Sequence, residues 1–184
     1  MELDLAPNNS FALNNKAVAL NGLKRYEEAL ECSNKALELD ENNDWTWFIK
    51  GLIFNGLKRY EEALECSNKA LELDANNDWT WFIKGLIFNG LKRYEESLEC
   101  SNKALELDAN NDWTWNNKAW SLINLGQNEE SLECSNKSLE LDPNNAWAWN
   151  NKSLALKGLK RYEEALECSN KALELDDINA IPTF

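Results

Sequence analysis

The chain has no histidine, one methionine, three prolines and seven glycines in its 184 residues. Without histidine, the usual acid–base group and the commonest metal-ligating side chain are both missing. The five cysteines, Cys32, Cys66, Cys100, Cys134 and Cys168, recur singly in the phrase LECSNK, with no C-x-x-C pair to build a zinc site. No metal or other cofactor is expected, and the thiols read as small buried hydrophobes. Cations are scarce: 19 Lys and Arg stand against 32 Asp and Glu, a formal charge of −13. That balance argues against nucleic acid, whose phosphates need a basic face, and against an anionic membrane. Long apolar runs are lacking too. A run such as WFIKGLIF is short and interrupted by lysine, so nothing reads as a bilayer span. The opening MELDLAPNNSF has no positive segment leading into an apolar one, so no signal peptide is read there and a cytoplasmic location is expected.

What the sequence does have is repetition. Offsetting the chain by 34 residues aligns 10–43, 44–77, 78–111, 112–145 and 146–179, and the second and third units differ only at Ala63 against Ser97. Residues 1–9 and 180–184 read as partial flanking units. A fixed period of this length marks a solenoid of helix–turn–helix units, each covering its neighbour's apolar face. The expected fold is therefore all-α, one domain over 1–184. In the second unit a first helix is predicted from about Trp45 to Asn55, with Asp44 as N-cap and Gly56 as a left-handed stop. A second helix is predicted from about Glu61 to Leu73, opened by the carboxylates Glu61 and Glu62, which favour the positive end of the helix dipole. The phrase DANN then turns the chain into the next unit.

The chain is rich in one aromatic, with nine tryptophans, mostly in pairs one residue apart. Residues two apart on a helix point about 200° apart, so Trp45 and Trp47 cannot face the same neighbour. Trp47 falls in line with Gly51 and Phe54, a stripe expected to meet Tyr60, Ala63 and Ala70 on the second helix. Trp81, Trp115 and Trp149 repeat that structural part. The other stripe is Trp45, Phe48, Leu52 and Asn55, repeated as Trp79, Phe82, Leu86 and Asn89. It continues as Trp113, Asn116 and Trp120 with Ile123, and as Trp147 and Asn150 with Leu154 and Lys157. Two readings stay open for it. The leading indoles fill the space left by small second-helix residues, or they present apolar area for a partner.

The run Trp149–Lys152, then Tyr162, Ala165 and Ala172, together with the turn LELDPNN at Leu139–Asn145, resembles the tetratricopeptide repeat, over essentially the whole chain. The resemblance implies a right-handed superhelix of helix pairs whose concave groove grips peptides or partner helices. It also implies that the Trp45 stripe and its copies line that groove. Two departures stand out. Serine (Ser33, Ser67, Ser101, Ser135, Ser169) replaces the aromatic usual in the second helix, and Asn128 replaces the turn tyrosine in the fourth unit, which is expected to be the loosest. Family members that clamp a C-terminal carboxylate use groove cations. Here the matching stripe offers asparagines and only Lys157, so an apolar or aromatic ligand fits better.

No Ser nucleophile motif, phosphate loop or metal-spaced cluster appears, and the Glu-Glu pairs recur as a surface pattern does, so no enzyme activity is expected. The leading expectation is a protein-interaction module. The alternative is a self-associating array, because neither end reads as finished with a polar face: either the chain is cut from a longer array, or its ends pair with another copy. Near-identical units also fit a recent duplication or an engineered sequence.

Overall fold

The computed structural model describes residues 9–179. Ten helices alternate in length between 13 and 14 residues, with a final one of 18. They are α1 (Ser10–Gly22), α2 (Tyr26–Leu39), α3 (Asp44–Gly56), α4 (Tyr60–Leu73), α5 (Asp78–Gly90), α6 (Tyr94–Leu107), α7 (Asp112–Asn124), α8 (Asn128–Leu141), α9 (Ala146–Gly158) and α10 (Tyr162–Asn179). No strand occurs among the described residues. The predicted flanking pieces lie outside them, except for Asn9. The predicted helices are present, each beginning a residue early. Contacts group the chain into two compact units, Met1–Leu91 and Lys92–Phe184, divided in the turn between α5 and α6. In the first, α1 packs on α2 and α3 on α4, while α3 and α5 seat on the helices before them. In the second, α7 seats on α6, α9 seats on α7 and α8, and α9 packs on α10.

Two local expectations are corrected. The N-cap is Asn43, not Asp44: its backbone is extended (φ −84°, ψ 102°) and its Oδ1 accepts the amide of Thr46 at 2.9 Å. Asn77 and Asn111 repeat this. Asp44 is already helical and places its charge in the first turn, where the helix dipole favours it. The left-handed residue is likewise not Gly56 but Lys58 (φ 59°), a place taken in the fourth repeat by Gly126 (φ 76°). Gly56 is required for another reason. A Cβ there would sit 2.7 Å from the Tyr26 ring, and one on Gly90 would sit 2.6 Å from the Tyr60 ring. Tyr60, expected to close its own repeat, therefore also seals the joint to the next one.

Within a repeat the helices approach closely at small residues. Gly51 lies against Ser67, Cys66 and the carbonyl of Ala63. Of the serines that replace second-helix aromatics, Ser33, Ser67, Ser101 and Ser135 are buried and Ser169 is half-buried; Ser33 donates to the Ala29 carbonyl, and Ser67 to that of Ala63. All five cysteines are buried, and burial pushes the Cys66 and Cys134 thiols up to about 11, keeping them neutral hydrophobes. Exposed pairs such as Arg25–Glu28 and Arg59–Glu62 decorate the second helices; hydrogen bonding to arginine holds the Glu28 and Glu62 carboxyls below their ordinary range.

Between repeats one contact alternates in kind. Asn14 and Thr46 exchange hydrogen bonds, Nδ2 donating to Oγ1 at 2.8 Å. In the second repeat Phe48 takes the place of Asn14, and Thr80 Oγ1 of the third repeat is left buried without a partner.

Two predictions follow from these joints, both read by urea unfolding. Gly56→Ala should cost about 1–3 kcal/mol through the clash with Tyr26, whereas Gly22→Ala, with open space around it, should gain up to about 1 kcal/mol of helix propensity; equal effects would contradict the joint. Thr46→Val should destabilise by about 1–3 kcal/mol by orphaning Asn14, while Thr80→Val, which removes an unbonded hydroxyl, should be neutral or stabilising. Equal losses in the two would refute that difference.

Candidate functional site

The first helices of the second to fifth repeats each carry a pair of indoles on different sides. Trp47, Trp81, Trp115 and Trp149 are half-buried, and each indole N–H donates to a carbonyl six residues back, in the turn before its own helix. The acceptors are Glu41, Ala75, Ala109 and Pro143, at 2.8–2.9 Å. A lysine one helical turn on, such as Lys50, lies over each ring at 5.2–5.5 Å. Trp115 also packs on Ala119, Leu122 and Cys134, and Trp149 on Leu156, Ala165 and Cys168. These four indoles pin the repeat turn to the helix pair.

The leading indoles stand differently. Trp45, Trp79, Trp113 and Trp147 are 42%, 46%, 50% and 66% exposed, and Trp120 is 40% exposed. In the first unit Trp45 stacks on Phe48 with centroids 4.8 Å apart, and Trp79 meets Phe82 edge-on at 5.8 Å. The phenylalanines themselves correct the sequence reading: at 7% and 6% exposed, Phe48 and Phe82 are core residues that support the indoles and offer a partner almost no area of their own. The shared stripe fixes a direction around the helix, not a depth, and the position of Phe48 is one that the following repeat covers. Leu52, Leu86, Asn55 and Asn89 are half-buried beside them.

In the second unit the stripe is more polar. Asn116 is half-buried, and its Oδ1 accepts Asn151 Nδ2 at 2.7 Å, a bond across the joint between the fourth and fifth repeats. Asn150 is exposed. Behind the stripe lie further polar pairs: Asn117 donates to Ser101 at 3.0 Å, and Ser153 and Ser169 are 2.7 Å apart. A cleft of about 340 Å³ between α9 and α10 is lined by Trp147, Asn150, Ser169, Ala172, Leu173 and Asp176. Sequence reasoning found Trp147 and Asn150 but missed the second-helix side, Leu173 and Asp176. Two clefts on the other face, of about 500 and 440 Å³, are lined by the structural indoles Trp115 and Trp47 with Lys118, Lys50 and glutamates. There the lysines already occupy the rings.

Among the described residues, no group of three or more Cys, Asp or Glu is placed to hold a metal ion, and no helix is long and apolar enough to cross a membrane.

No curated protein matches the chain in sequence. Among solved structures it is similar to YrrB, described as a TPR protein with an unusual peptide-binding site. The two are 26% identical over 92% of this chain and 88% of that one, with a TM-score of 0.70. It is also similar in fold to MamA: to the 41-end piece from Desulfovibrio magneticus RS-1 (18% identity, 94% and 97% of the chains, TM-score 0.79) and to another MamA structure (20%, 89% and 96%, 0.75). Models of the tetratricopeptide repeat match residues 10–43, 46–77, 80–111, 100–133 and 134–167. The chain belongs to the tetratricopeptide repeat family.

Proposed function

We propose that this protein is a cytoplasmic protein-interaction module whose five repeats act as one domain. Its leading tryptophans and neighbouring asparagines capture a peptide or a partner helix. The observation that carries the reading is the exposure of Trp45, Trp79, Trp113, Trp120 and Trp147 in helices whose other large side chains are mostly buried. Each leaves on the order of 100 Å² uncovered, and the area left by Trp113, Trp120 and Trp147 of one unit alone approaches the largest apolar patch a monomer usually leaves. The fold does not need them exposed, since the second indole of each pair already secures the turn.

Tryptophan is the commonest residue at binding hot spots because it offers a large rigid face and one N–H at little entropic cost. The half-buried Asn55 and Asn89 and the exposed Asn150 add amide donors and acceptors suited to a peptide backbone. The likeness to YrrB supports a peptide as the ligand class. An acidic surface of net charge −13 favours a neutral or basic segment. Binding, rather than catalysis, is the activity this arrangement suits.

The test is selection of peptides from a random displayed library on the intact chain, followed by titration of the best binder. Replacing Trp45, Trp79, Trp113 and Trp147 together by Ala should weaken it more than about 100-fold, from hot spots worth about 2 kcal/mol each, while the helical circular dichroism stays unchanged. Retained affinity would overturn the assignment, and so would a collapse of helicity, which would make these residues core.

A further inference from the structure

At three of the four joints between repeats the residue that opens one second helix presses onto the glycine that ends the following first helix; at the joint of the third and fourth repeats Asn124 stands in the glycine's place. Tyr26 meets Gly56, Tyr60 meets Gly90, and Asn128 meets Gly158. Two members of this series are left over. Nothing lies within 4 Å of a Cβ built on Gly22, and Tyr162 is 59% exposed where Tyr26 and Tyr60 are half-buried. Beside Tyr162, Leu166 and Leu173 are 63% exposed, although their fourth-repeat counterparts Leu132 and Leu139 are half-buried and buried.

The open side of α1 has a specific likeness within the chain. Where α9 seats on α7 and α8 it buries Ala148, Asn151 and Ala155, followed by Gly158 and Leu159. The same places in α1 hold Ala12, Asn15, Ala19, Gly22 and Leu23, the identical five residues, with Asn15, Ala19, Gly22 and Leu23 exposed. Helix α3, by contrast, seats with Thr46, Ile49 and Ile53. The acceptor matches as well. Asn151 donates to Asn116, and the fifth-repeat counterpart of Asn116 is the exposed Asn150, not the phenylalanine of the second and third repeats.

We infer that the occupant of the α9–α10 face is a second copy of this chain, whose α1 seats there as α9 seats on α7 and α8. Asn15 of one copy donates to Asn150 of the other, the Tyr162 ring covers Gly22, and Leu166 and Leu173 pass beneath Ala19 and Leu23. The joint is heterologous: two different faces meet, so each copy can give one and receive one. It takes Asn150 and covers the cleft beside Trp147 but uses none of the exposed indoles of the first four repeats, so peptide binding by the Ala19→Arg variant, which keeps every indole, tests the peptide reading separately.

Sedimentation equilibrium of the intact chain, from micromolar to near-millimolar, should give a weight-average mass above the 21.1 kDa of one chain that rises with concentration. Leu166→Arg and Ala19→Arg, both at exposed positions, should each hold the mass at one chain with helicity unchanged. Mixed together they should recover a pair and nothing larger, because each retains the face the other has lost. A mass of one chain throughout would overturn the inference. So would an Ala19→Arg variant that associates as the parent does, or a mixture that stays at one chain.

Discussion

No helix pair in this chain can bury its own apolar surface, and everything else follows from that constraint. A pair of 13- and 14-residue helices covers one side of each helix and leaves another open, so the following first helix must close it. The closure is steric and specific: at the first two joints a tyrosine ring from one repeat lies on a glycine of the next, with no room for even a methyl group. Repetition at 34 residues keeps that ring and that glycine in phase. A repeat array built this way derives its stability from neighbour interfaces.

The doubled tryptophans show how one short helix serves two needs. The second indole of each pair faces inward and back, donating to the turn that delivers the chain into its helix, with a lysine over its face. The first is turned about 200° away and remains in solvent. Since the turn is already secured, the exposed ring is free to contact something else. The joint beneath it comes in apolar and polar versions, Phe48 in one repeat and Asn116 in another. An asparagine there demands a matching partner, Thr46 for Asn14 or Asn151 for Asn116, while phenylalanine demands only area and leaves Thr80 unbonded. Polar joints therefore choose their neighbours, which an apolar joint does much less.

Much of this was legible in the sequence. The period alone gave ten helices with bounds close to those found, and the angular separation of Trp45 from Trp47 separated the turn-pinning indoles from the exposed ones. Depth was less legible. Phe48 shares a stripe with Trp45, yet it is covered because the next repeat passes over that part of the stripe. Asn43 and Asp44 are both good caps by type, and only the backbone angles choose between them. Gly56 looks like a stop because glycine so often ends helices, but its role is to admit the ring of Tyr26, which lies 30 residues earlier. In each case the missing information was the placement of a neighbouring repeat, which a reading of one repeat at a time does not contain.

The central claim is that the two indoles of each pair have different fates, and indole N–H hydrogen exchange measures this directly. In ¹⁵N-labelled protein the side-chain N–H groups of Trp47, Trp81, Trp115 and Trp149, held on backbone carbonyls, should exchange slowly. Those of Trp45, Trp79, Trp113, Trp120 and Trp147 should exchange at rates close to free tryptophan. Nine indole signals exchanging at one common rate would contradict the account.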